Sequence, residues 1–189
     1  MSDTPSRTAE EVLRAYFRAK DGNRPHLMGE AFAETAILET VVNTNAISFP
    51  PIARGLASIT DVLVRKFAQS YENVYSFYLE RPPPHTPVST FACDWLVGMS
   101  EKDSGKARVG CGRYEWQFQI GAPRLADRLV ITIEAMQVLP ADRLEPVLLW
   151  LTGLPYPWCP AERILETAPA MPDLAPIVSY VGRRKPGQR

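Results

Sequence analysis

The spacing of apolar positions changes several times along this chain, and each change predicts an element. Val12, Leu13, Tyr16 and Phe17 recur at helical spacing and form one stripe of an amphipathic helix. Thr8, followed three residues later by Glu11, has the spacing of a capping box, and Asp21-Gly22-Asn23 is a turn cluster that ends the helix. Residues 26–32 predict a second, short helix, and residues 36–42, rich in β-branched and aliphatic side chains, a strand. A polar, proline-bearing loop over 43–51 and Gly55 lead into a third helix over 58–69, with Ile59, Val62, Leu63 and Phe67 at helical spacing. Residues 74–80 alternate as a strand until Pro82-Pro83-Pro84 stops it.

Two longer alternating runs follow, 90–100 and 106–119. The polar turn Glu101-Lys102-Asp103-Ser104-Gly105 between them predicts a hairpin. Residues 128–139 form a last strand, ended by Pro140, and 142–153 a helix. In the 23 positions beyond Gly153 come six prolines, at 155, 157, 160, 169, 172 and 176, interspersed with Leu154, Tyr156, Trp158, Ile164 and Leu165. Apolar anchors of that kind predict an extension that packs on the body, not a free tail. The division is thus an α+β domain over 1–140 and a C-terminal helix and Pro-rich extension over 141–189, a length that suits one domain with an appendage.

The second strand of the hairpin carries the candidate chemistry. Side chains alternate between faces along a strand. Arg113, Glu115 and Gln117 therefore share one face, and Tyr114, Trp116 and Phe118 the other. A turn centred near Asp103-Ser104 brings Asp94 opposite Arg113. With Glu134 on the next strand, Asp94, Arg113, Glu115 and Glu134 form a candidate catalytic cluster of paired acids and an arginine on a pocket floor. The alternative is a structural ion-pair network or a dimer contact. Trp95, Tyr114, Trp116 and Phe118 are too many aromatics for a sheet face left to water, and predict a two-fold dimer through that face.

Composition narrows the field. Formal net charge is zero, and the basic residues form no run before Arg183-Arg184-Lys185, which argues against a nucleic-acid surface. No apolar run reaches the roughly 18–20 residues of a membrane span, and the polar N-terminus lacks the apolar core of a signal peptide, so the expected location is cytoplasmic. The cysteines, at 93, 111 and 159, are odd in number and fit no zinc spacing. Two histidines, His26 and His85, exclude a His-rich metal site. No metal and no cofactor is expected.

The order of these elements resembles the nuclear-transport-factor-2-like superfamily, which includes SnoaL-like cyclases, ketosteroid isomerase, scytalone dehydratase and limonene-epoxide hydrolase. Tyr16, the stretch Phe32-Ala33-Glu34-Thr35-Ala36, Gly55 with Ile59, the strand through Arg113-Tyr114-Glu115 and the closing strand through Glu134 carry the resemblance, over about residues 8–140. It implies a curved sheet wrapped on the N-terminal helix as a cone. Against ketosteroid isomerase, Tyr16 stands at the oxyanion-holding tyrosine; the base falls at Thr40, beside Glu39. Against limonene-epoxide hydrolase, Arg113-Tyr114-Glu115 and Glu134 stand at the arginine and the two acids, and Leu38 and Thr40 at the water-orienting pair. The candidate ligand-binding set is Tyr16, Leu38, Glu39 and Thr40. The resemblance implies a homodimer with a cavity for a small apolar molecule. Two classes of function stay open: a cofactor-independent isomerase, cyclase, dehydratase or hydrolase, and a noncatalytic ligand-binding or dimerisation module.

Overall fold

The computed structural model describes residues 6–183. Met1 to Pro5 and the tail from Arg184 on, with Lys185 of the basic run, lie outside the described residues.

Helix α1 (Ala9–Asp21) begins where the sequence predicts, because Thr8 and Glu11 close a reciprocal cap. The Glu11 N–H donates to Thr8 Oγ1 at 3.2 Å, and the Thr8 N–H donates to Glu11 Oε2 at 2.7 Å. Together they satisfy two N–H groups that a helix start leaves unpaired. The expected helix over 26–32 is a 3-10 turn, Pro25–Glu30, and Phe32 already opens strand β1 (Phe32–Val42). The early start has a tertiary cause: Phe32 aligns with Ala126 of the last strand, and the register then shifts before Ile37. After β2 (Ile52–Arg54), the expected third helix is a rod in three pieces, α2 (Leu56–Thr60), a π-helical segment (Asp61–Lys66) and α3 (Phe67–Ser70).

Strands β3 (Tyr71–Tyr78), β4 (Thr90–Glu101), β5 (Ala107–Phe118) and β6 (Ala126–Leu139) complete one six-stranded sheet in the order β2-β1-β6-β5-β4-β3. Among the described strands only β1 and β6 run parallel. The hairpin has the register that its turn predicts, with Asp94 opposite Arg113. The sheet bends where β6 carries an extra residue: Cys111 aligns with Ala135 and Gly112 with Ile133, so Glu134 has no partner on β5. A bulge of this kind bends its strand and increases the twist. The bend leaves no space at Gly112, where a Cβ would stand 1.9 Å from the Thr132 carbonyl oxygen.

Curvature gives the sheet two different faces. The concave face holds Cys93, Trp95, Val97 and Met99 of β4 with Tyr114, Trp116 and Phe118 of β5, packed on Tyr16 and Phe17 of α1 and on the three-piece rod. The convex face holds Phe77, Leu96, Val109 and Cys111, and the C-terminal extension covers them. The extension consists of α4 (Leu144–Thr152), α5 (Ala161–Thr167) and α6 (Ala175–Arg183) with a 3-10 turn before each of α4 and α6. Leu151 of α4 lies so close to the sheet that a Cβ on Gly98 would be 2.2 Å from its Cδ1. Segment 157–159 joins the β3 edge, where the Tyr78 N–H donates to the Pro157 carbonyl at 2.8 Å and the Cys159 N–H to the Tyr78 carbonyl at 2.9 Å.

Candidate functional site

A cavity of about 50 Å³ lies inside the cone, between α1, the rod and the concave face of the sheet. Its position follows from periodicity. Tyr16 and Lys20 are four apart on α1 and share a face; Leu63 and Phe67 are four apart on the rod; Trp95, Val97 and Met99 alternate along β4. The π-helical segment sits at this wall and supplies Leu63, an irregularity common at functional sites.

The lining is apolar except at one end. Lys20 Nζ donates to Asp21 Oδ1 at 2.6 Å and to Ser76 Oγ at 2.7 Å. Asp21 is also held by the Ser76 N–H and the Ser76 hydroxyl, both at 2.8 Å. The ammonium lies 5.5 Å from the Phe17 ring centroid and 5.4 Å from that of Phe67, within cation–π range. Tyr16 and Tyr114 meet edge to face with ring centroids 6.1 Å apart, and burial pushes both phenols far above the ordinary tyrosine value, which keeps them protonated at neutral pH. The Trp95 indole stacks on Tyr114 at 5.5 Å, and its Nε1–H, buried, has no hydrogen-bond partner among the described residues.

Loop 43–51 closes the mouth. Thr40 Oγ1 donates to the Pro50 carbonyl at 2.6 Å, Asn43 Nδ2 donates to Glu134 Oε2 at 3.1 Å, and the Arg108 guanidinium donates to the Ala46 carbonyl. Arg108 is itself held by Glu101 at 3.1 Å. The loop thereby presents Ile47 and Phe49 to the cavity. A shallow outer depression of about 200 Å³ is lined by the same Ile47, Phe49 and Phe67, so these side chains stand between cavity and solvent.

The expected charged cluster is placed on the other side of the sheet. Arg113 and Asp94 do meet, at 3.4 Å, but on the convex face, where the Tyr180 hydroxyl of α6 also donates to Asp94 at 3.2 Å. Glu115 points outward and is exposed. Glu134 is the bulged residue, exposed and held to the mouth loop. The expectation that these four gather on a pocket floor is therefore corrected: two of them pin the extension, one is in solvent, one anchors a loop. The physical reason is parity. Tyr114, Trp116 and Phe118 occupy the concave face, and the residues between them must then face out. The same parity corrects the expectation of a dimer face made of Trp95, Tyr114, Trp116 and Phe118, since these aromatics lie inside the cone.

Among the four ligand-binding candidates, Tyr16 and Thr40 line the cavity. Leu38 is wholly buried in the concave-face core. Glu39 points outward and makes two hydrogen bonds of 2.9 Å with Arg128, which hold its carboxyl below the usual range. Lys20, Trp95, Tyr114 and the loop residues Ile47 and Phe49 line the cavity without having been predicted there. One signal for Lys20 was available, its position one helical turn after Tyr16. Among the described residues, no cluster of His, Cys, Asp and Glu has the geometry to hold a metal, and no helix is long and apolar enough to cross a membrane.

No protein-family model and no curated protein matches the chain. Solved structures do. A nuclear transport factor 2-like superfamily protein from Salmonella enterica superposes with a TM-score of 0.53 at 15% identity, over 67% of this chain and 88% of that one. The hexachlorocyclohexane dehydrochlorinase LinA-type3 from Novosphingobium barchaimii superposes with a TM-score of 0.55 at 8% identity, over 68% and 86%. A protein of ketosteroid isomerase-like fold from Catenulispora acidiphila, solved with trimethylamine, gives 0.50 at 15% identity, over 66% and 85%. Identities this low speak for the fold alone. The matches span most of each neighbour and two thirds of this chain.

Proposed function

We propose that this chain, which has the nuclear-transport-factor-2-like fold, binds a small and mainly apolar molecule inside its cone. The observation that carries the reading is the lining. Of the fourteen described residues that line it, only Lys20 is charged, and none is a carboxylate or an imidazole. General acid–base catalysis needs a positioned group whose proton is exchangeable near the working pH. The phenols of Tyr16 and Tyr114 are pushed away from that range. A concave, preformed, apolar site with few polar groups is what ligand pockets share. A site that holds about four waters' volume, at roughly 10–15 Å³ each, suits a compound of a few heavy atoms unless Phe49 and Phe67 move aside.

The test is a titration of the full chain with methylenecyclopentane, followed through the methyl signals of Met99 and Met136, which line the cavity. Saturable shifts at both methyls are the expected result. Shifts confined to the surface, with neither methyl moving up to the solubility limit, overturn the reading. A second reading, cofactor-independent catalysis, is favoured by one observation, the two adjacent buried phenols Tyr16 and Tyr114 at the cavity wall. Buried, protonated phenols are able to hold a developing oxyanion. Turnover of a bound compound that is lost in Tyr16→Phe, with binding retained, would decide for this second reading.

A further inference from the structure

The polar groups left unmet around the cavity are donors, and we infer from them the chemical class of the ligand: a neutral compound with one hydrogen-bond acceptor, such as a ketone, an ester or an ether, its oxygen directed to Lys20. The inference rests on the reading of the cone as a binding site and adds to it what the site selects.

An ammonium has three N–H donors. Lys20 spends two, on Asp21 at 2.6 Å and on Ser76 at 2.7 Å. The residue lines the cavity, its side chain only 8% exposed, so a third donor has apolar surroundings and no protein partner among the described residues. Trp95 also lines the cavity and has a buried N–H with no partner among the described residues, but Trp116 and Trp158, which do not line it, have the same, so the ammonium alone carries the argument. Of the other polar groups of the lining, Thr40 is already engaged with the Pro50 carbonyl, and the phenols of Tyr16 and Tyr114 are neutral. A buried donor without an acceptor is costly, and a ligand oxygen that meets it recovers the loss.

Charge decides between a carbonyl and a carboxylate. The Lys20 ammonium is already in contact with the Asp21 carboxylate, whose oxygens are fixed by Ser76. The pair is neutral as a unit, and among the described residues no other cation lines the cavity. An anionic ligand would give up its hydration to enter an apolar space where the one positive charge is spoken for. A cationic ligand would meet the ammonium. A hydrocarbon fits the walls but leaves the donors unmet. A neutral acceptor alone satisfies both the walls and the donors.

Three probes of similar shape separate these cases: methylenecyclopentane, cyclopentanone and cyclopentanecarboxylate, each titrated into the full chain at neutral pH. Cyclopentanone is expected to bind roughly fivefold tighter than the hydrocarbon, the yield of one net hydrogen bond, and the carboxylate weakest. Only the ketone should shift the Lys20 ammonium signal. In the double variant Lys20→Met/Asp21→Asn, which removes both charges and leaves no carboxylate unpaired, ketone and hydrocarbon should bind alike. Should that variant fail to fold, the ammonium shift in the unaltered protein decides. A carboxylate that binds tightest, or a hydrocarbon that binds as well as the ketone in the unaltered protein, overturns the inference and leaves the binding site standing. Failure of all three probes overturns both.

Discussion

The two faces of the sheet use the same strands for opposite purposes. On the concave face β4 and β5 present Trp95 and Tyr114 to a cavity, with Trp116 packed in the core beside it. On the convex face the same strands present Leu96, Val109 and Cys111, and the extension seals them with Trp150, Leu151 and Ile177. Beyond Cys111 the convex face turns polar, through Arg113 and Glu115, where the extension stops covering it. A sheet of this kind has two apolar faces to hide. One is hidden by α1 and the rod, with space left over, and the other by the chain's own C-terminal segment. The difference teaches that ionic residues on a strand need not mark a pocket; here they mark the edge of a covered area.

Removing the cover should have the largest effect. Deletion of residues 141–189 would uncover Phe77, Leu96, Val109, Cys111 and Leu139 together. It would also discard, among the described residues, nine buried hydrophobic side chains of the extension, Val147, Leu151, Ile164 and Val181 included, each fully buried aliphatic side chain contributing about 1.5–3 kcal/mol before chain entropy is counted. The truncated chain is expected to lose most of its stability towards urea and to gain mass in light scattering at micromolar concentration relative to the full chain. A truncated chain with unchanged mass and unchanged urea midpoint would mean that the extension is dispensable to the sheet.

The next effect contrasts two adjacent residues. Trp116 is buried against Tyr16 at 5.4 Å and Phe32 at 5.7 Å, while Glu115, its neighbour on β5, is exposed on the other face. Trp116→Ala is expected to cost about 3–5 kcal/mol of unfolding free energy. Glu115→Ala is expected to stay within about 0.5 kcal/mol of the unaltered chain. Equilibrium unfolding of both variants checks the assignment of faces; a large loss at Glu115 with little at Trp116 would reverse it.

Much of this architecture was legible in the sequence. The Thr8–Glu11 cap, the helix behind it and the hairpin all rest on local chemistry, and the register Asp94 to Arg113 follows from the turn Glu101-Lys102-Asp103-Ser104-Gly105. Register, however, says which residues are opposite, not which side of the sheet is concave. That side is settled by curvature, and curvature comes from the unpaired Glu134 and from Gly112, a long-range match that no single segment contains. A hint did exist: Gly110 and Gly112 share the parity of Tyr114 and Trp116, and glycines collect where a bent sheet crowds its inner side. The candidate site was less legible still. Lys20 reads as the polar end of an amphipathic helix until Ser76, far along the chain, is brought to it.

The smallest expected effect lies on the open part of the convex face. Glu39 and Arg128 pair there across β1 and β6, with two hydrogen bonds of 2.9 Å. The bonds from Arg128 lower the Glu39 carboxyl below its ordinary 4.5 in the folded chain and raise Arg128. A carboxyl whose folded value is depressed contributes stability above its unfolded value and loses it as pH falls through the folded one. The contribution of Glu39 is therefore complete at neutral pH, begins to fade near 4.5 and is gone below the lowered value. The pair is in water and salt screens it, so its size is small. Glu39→Gln should lower the urea midpoint slightly at pH 7 and leave it unchanged at pH 2, and added salt should shrink the difference at pH 7. A difference that persists undiminished at pH 2 would mean that Glu39 acts through packing on the strand and not through its charge, and this part of the convex face would then have to be counted with the covered one.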